Sequence, residues 1–113
     1  MTVESATSCT LLSTLFRGLA DPARLSCFLA VRIQPRTVNQ VVAATGLSQP
    51  NVSKHLACLR ECGLVQAERF GRSVSYRFAN GGVETLLQAA EQLLTNVGEK
   101  VSACPNYGEG HQI

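Results

Sequence analysis

Long apolar runs are missing from this chain: no stretch of the 113 residues could span a membrane. The polar start from Met1 to Thr10 lacks signal-peptide character, so a cytosolic protein is expected. Charge of one sign is also scarce. Ten Lys and Arg against eight Asp and Glu leave a formal charge of +2. That balance permits nucleic-acid binding without arguing for it, and any basic patch must be local. There is no phosphate-cradling glycine loop, no Cys-x-x-Cys pair and no arrangement of nucleophile and base, which argues against an enzyme. Repeats and low-complexity segments are absent too.

Thiols, by contrast, are plentiful. Cys9, Cys27, Cys58, Cys62 and Cys104 make an odd count. In a reducing compartment such a set favours metal or redox chemistry over a disulfide framework. The length suits one domain over 1–113, with flexible tails at 1–10 and 102–113. With 45% hydrophobic residues it can build a small core, to which dimerisation would add stability.

The order of elements follows from periodicity. Leu11, Leu12, Leu15, Phe16 and Leu19 predict a first helix that ends near Gly18 to Ala20. Asp21-Pro22 is an N-cap and N1 proline, opening a second helix through Ala23, Leu25, Phe28, Leu29 and Ile33 that stops before Pro35. Thr37 caps a short helix over Val38 to Ala44. Beyond Gly63 the period becomes two: Val65 to Phe70 and Val74 to Phe78 flank Gly71-Arg72-Ser73, which predicts a hairpin. Val83, Leu86, Leu87, Ala90, Leu93, Leu94, Val97 and Val101 form the stripe of a long last helix. The fold class is mainly α with a β-hairpin.

The segment 45–65 carries the most chemistry. Gly46 supplies a turn, Ser48 an N-cap, Pro50 a first-turn residue and Gly63 a left-handed stop. Val52, Leu56 and Leu59 form its buried stripe. At about 100° per residue, Gln49, Pro50, Ser53, Lys54 and Ala57 spread over the far side, while Cys58 and Cys62 share a third flank. Small hydrogen-bonding groups near a helix N-terminus suit a DNA major groove. Gln49, Ser53 and Lys54 are candidate contacts, as is Arg72 at the hairpin tip; Arg36 and Arg77 are weaker candidates for phosphate. Cys58 and Cys62, at i and i+4, have Cβ atoms about 5–6 Å apart, within reach of one soft ion. Their place near a helix C-terminus disfavours thiolate, so they should stay protonated until a thiophilic cation arrives. The plainer alternative for each is a small buried hydrophobe. That alternative is expected for Cys27, beside Phe28. His55, next to the apolar stripe, is expected to be a hydrogen-bonded structural residue, and His111 in the tail is uninformative.

These residues resemble the ArsR/SmtB family of dimeric winged-helix repressors. The likeness rests on Leu19-Ala20-Asp21-Pro22-Ala23-Arg24-Leu25, on Leu47 to Leu56, on Gly63-Leu64-Val65 and on Phe70 to Arg77, and it covers residues 11–101. It implies a winged helix-turn-helix that forms a homodimer through the first and last helices and binds double-stranded operator DNA. The family's zinc-type site would need histidine on the last helix, and Asn80 to Val101 has none. Its arsenic-type site would need cysteines in Thr37 to Val42, which also has none. What remains is similar to the CmtR-like cadmium/lead-sensing branch. That resemblance implies Cys58, Cys62 and Cys104 as ligands for Cd(II) or Pb(II), whose arrival releases the DNA. Cys9, on the first helix at the dimer interface, is a weaker candidate for a secondary ligand, and its role stays open. Thiol oxidation or persulfide formation, for example through Cys27 with Cys104, and As(III) or Sb(III) at Cys58, Cys62 and Cys104 stay open as alternative triggers.

Overall fold

The computed structural model describes residues 6–106 and 108 of the chain; His111 lies outside them. The described residues form two compact units, one ending at Ala79 and one starting at Asn80.

The first unit holds helices α1 (Ala6–Ala20), α2 (Pro22–Ala30), α3 (Val38–Thr45) and α4 (Gln49–Glu61) and strands β1 (Arg36–Thr37), β2 (Val65–Phe70) and β3 (Ser73–Phe78). Caps explain most of the boundaries. The Asp21 carboxylate accepts from the backbone N–H of Ala23 (2.9 Å) and of Arg24 (3.3 Å), starting α2. Those bonds, the one from Arg24 foremost, hold its pKa below the usual 3.8. Thr37 caps α3 reciprocally: its hydroxyl accepts from Gln40 N–H (3.2 Å), and its own N–H donates to Gln40 Oε1 (2.9 Å). Gly46, at φ 76°, closes α3 in the left-handed region and turns the chain into α4.

Val52, Leu56 and Leu59 are buried as the α4 stripe required, together with Phe28, Val31, Val41 and Cys27. The Phe28 and Phe78 rings stack with centroids 4.6 Å apart, which ties α2 to the sheet. Cys27 is fully buried, and that burial pushes its thiol pKa up.

Three expectations need correction. The first helix starts at Ala6, so the stretch Ala6–Thr10 is helical and not a tail; Ser8 is buried there. The second helix ends at Ala30, short of Ile33, which is 88% exposed. Short-range bonds from Val31 N–H to Phe28 O and from Arg32 N–H to Leu29 O close it early. The chain then turns to present Arg36 and Thr37 as a third strand, which the sequence did not reveal. The sheet order is β1-β3-β2, all antiparallel, with Arg36 opposite Tyr76 and Ala67 also opposite Tyr76 on the other side.

The second unit is α5 (Gly81–Ser102), capped by Asn80 and followed by a turn through Cys104. Leu93, Leu94 and Val101 are exposed on α5, as Leu12 and Phe16 are on α1. No helix among the described residues is long and apolar enough to cross a membrane.

Candidate nucleic-acid interface and thiol cleft

Two surfaces of the first unit bring predicted site residues together. The first lies where the N-termini of α3 and α4 meet the hairpin. Gln49 and Arg72 line one shallow basin of about 370 Å³ with Thr37, Asn39 and Ser73. Two helix N-termini therefore open beside an exposed guanidinium, an arrangement that favours anionic backbone oxygens. Ser53 and Lys54 are exposed on α4 but do not line this basin. Asn39 is an interface candidate that the sequence reading missed. Thr37 is both the cap of α3 and part of this basin, a second role that only the approach of the hairpin to the first turn of α3 creates.

Of the weaker phosphate candidates, Arg36 lines a separate basin with Gln34 and Gln40. Arg77, still partly exposed, is engaged across the hairpin, Nε donating to Glu68 (2.7 Å) and an Nη to Gln66 (3.1 Å). These bonds brace β2 against β3.

The second surface is a cleft of about 240 Å³ between α1 and α4. Leu11, Leu15 and Gly18, at i, i+4 and i+7 on α1, form one wall, and Leu59 and Leu64 lie across from them. Cys58 and Cys62 both open into it. The end of α4 fixes their positions through a six-residue closure: Leu64 N–H donates to Leu59 O and Gly63 N–H to Arg60 O, each at 3.0 Å. Gly63 sits at φ 81° to allow it. Cys62 is thus the C-cap residue, one turn beyond Cys58. The two thiols line the same cleft, and each lies within the other's electrostatic influence.

Although Cys62 is exposed, partial desolvation of its sulfur raises its pKa, and the nearby Cys58 and Glu61 add to the rise. Arg24, which donates from Nη1 to Gly18 O at 3.0 Å, opposes it. Arg24 lines the cleft, and nothing in the sequence marked it. Its Nε is buried without a hydrogen-bond partner.

Soft sulfur donors that line one cleft suit a thiophilic ion. Among the described residues no group of three His, Cys, Asp or Glu side chains stands close enough to hold a metal. Cys104 is half-buried in the turn after α5, in the other unit. Cys9 is exposed on α1. His55 is buried as expected, but its Nδ1 has no hydrogen-bond partner, which corrects the hydrogen-bonded role assigned to it at that atom.

Comparison with known proteins places this geometry. Residues 21–67 match the model of the bacterial regulatory proteins of the arsR family. The chain is 38% identical over 98 residues to the probable mercury resistance operon repressor of Streptomyces lividans, covering 86% of this chain and 78% of that one. It is 40% identical over 86 residues to the HTH-type transcriptional regulator CmtR of Mycobacterium tuberculosis, covering 76% and 73%. The chain belongs to the ArsR family. Its fold agrees with the homodimeric winged helix-turn-helix DNA-binding domain of a Mycobacterium bovis protein, at TM-score 0.68 and 28% identity over 88% of this chain and 94% of that one. In this ArsR-family chain α3 and α4 are the helix-turn-helix and the β2–β3 hairpin is the wing. Its relatives are transcriptional regulators, not enzymes.

Proposed function

We propose that the chain is a dimeric repressor that grips operator DNA with α4 and the wing and lets go when a soft metal ion binds its cysteines. One observation supports this reading: the helix that presents Gln49 at its N-terminus sets two thiols on one cleft at its C-terminus. Exposed Leu12 and Phe16 on α1 and Leu93 and Leu94 on α5 support dimerisation through those helices. Two α4 helices then address successive major grooves of a near-palindromic site, with Gln49, Ser53 and Lys54 facing the DNA and Arg72 approaching phosphate or the minor groove.

Cys58 and Cys62 would hold the ion, each giving up its proton, and Cys104 of the partner subunit would complete the donor set. Cd(II) and Pb(II) are the ions this thiolate set suits, and Hg(II) joins them because a relative is named as a mercury resistance repressor. Release requires that the metal-holding arrangement and the DNA-holding one exclude each other. A shift from mostly bound to mostly free takes about 5 kcal/mol of differential affinity, within reach of several metal–thiolate bonds.

Gel shift on operator DNA tests the proposal. Cd(II) or Pb(II) should release wild-type protein and leave Cys58→Ser bound, with the thiolate-to-metal absorption band lost in the variant. Metal-induced release that survives in Cys58→Ser would refute the ligand assignment.

A further inference from the structure

The cleft has a property that a bare metal ion does not use: its walls are apolar. Leu11, Leu15, Leu59 and Leu64 surround a space of about 240 Å³ that opens directly onto both sulfurs. An apolar cavity of about 150 Å³ is enough to take a benzene ring. The donor count points the same way. The first unit sets two sulfurs, those of Cys58 and Cys62, on this one cleft. Two sulfurs are enough for mercury, and a mercury that already carries a carbon ligand needs one donor fewer from the protein than the bare ion.

We propose that the cleft beside Cys58 and Cys62 is a site for a monoorganomercury(II) cation, the thiols taking the mercury and the leucine walls its aryl group. This rests on the thiol pair being a metal site, as proposed above, and adds the class of ligand. Binding is a ligand exchange without electron transfer. The mercury–chloride or mercury–thiolate bond of the incoming species breaks, and its electron pair leaves with the departing anion. A Cys S–H bond breaks as the Hg–S bond forms, and the proton goes to solvent. The second thiol, on the same cleft, is a neighbouring sulfur for the same mercury. The aryl group leaves water for the leucine wall, so its size should set the affinity.

Gly18 provides the test. It lines the cleft within α1, has ordinary helical φ, and a Cβ built on it meets nothing nearer than Arg24 Nη1 at 4.0 Å. Gly18→Leu therefore fills the cleft and improves helix propensity without touching a thiol. The full-length protein is titrated with phenylmercury and with methylmercury in competition with glutathione, which cancels each cation's intrinsic preference for thiolate. Phenylmercury should be retained at least tenfold more strongly than methylmercury by the wild type. In Gly18→Leu the ratio should fall to near one, with methylmercury and Cd(II) affinity unchanged. Gly18→Ala, the milder change, should give an intermediate ratio and guards against misfolding of the larger variant.

Equal retention of the two cations by the wild type would overturn the proposal, as would a ratio that Gly18→Leu leaves intact. A fall in Cd(II) affinity in Gly18→Leu would show that the cleft admits the segment bearing the third ligand, and would also overturn it. Binding of both cations and of Cd(II) that is indifferent to Cys58→Ser and Cys62→Ser would sink the thiol site itself, a separate failure.

Discussion

Replacing Arg72 by Ala removes a guanidinium that the wing holds at its exposed turn, in the same basin as Gln49. If that guanidinium neutralises a phosphate, a dimer loses two such contacts. The slope of log affinity against log salt should then become shallower by about 1.8, since each neutralised phosphate contributes about 0.9. With nothing else changed, affinity at about 0.1 M salt falls by roughly sixtyfold. Gln49→Ala is the matched control. A neutral amide releases no counterion, so its loss should leave the slope alone. It should instead cost about 1–3 kcal/mol of discrimination at one base pair. Fluorescence anisotropy of labelled operator across a salt series reads both quantities. A wild-type slope in Arg72→Ala would remove Arg72 from the interface. Equal slope changes in both variants would mean that the basin does not separate a phosphate contact from a base contact. Arg72 lies outside the core, so thermal melting should be unchanged and any loss of binding is not unfolding.

Phe28→Ala should cost about 3–5 kcal/mol, because the ring is fully buried and stacked on Phe78; urea denaturation measures it. Asp21 has a lowered pKa, so its contribution to stability is complete above the usual carboxylate value of 3.8 and disappears as pH falls through the lower folded value. Denaturation curves from neutral pH to about pH 3 should therefore show an acid-labile increment in the wild type that Asp21→Asn, still a good cap, lacks. Maleimide labelling followed by mass spectrometry should modify exposed Cys9 quickly, Cys62 more slowly because its thiol pKa is raised, and buried Cys27 slowest. Cd(II) should slow labelling at Cys58 and Cys62 and leave Cys9 unaffected; protection confined to Cys9 would contradict the proposed ligand set.

Local chemistry made much of this protein readable from its residues. Asp21-Pro22, Thr37, Ser48 and Gly63 act within a few residues of themselves, and each begins or ends a helix where its side chain or backbone freedom requires. The stripe of Val52, Leu56 and Leu59 fixed which face of α4 is buried, and with it the flank shared by Cys58 and Cys62. Long-range pairing was not readable in this way. Two residues are too few to show a period, so Arg36-Thr37 is a strand only because β3 offers it an edge. Ile33 has a helix-compatible position yet lies outside α2, because the chain must turn to reach that edge. Arg77 looked like any basic residue until Glu68 and Gln66 closed around it from the neighbouring strand. The leucine cleft beside the thiols is likewise a product of packing: α1 and α4 are far apart in the chain, and only their meeting sets an apolar wall against two sulfurs.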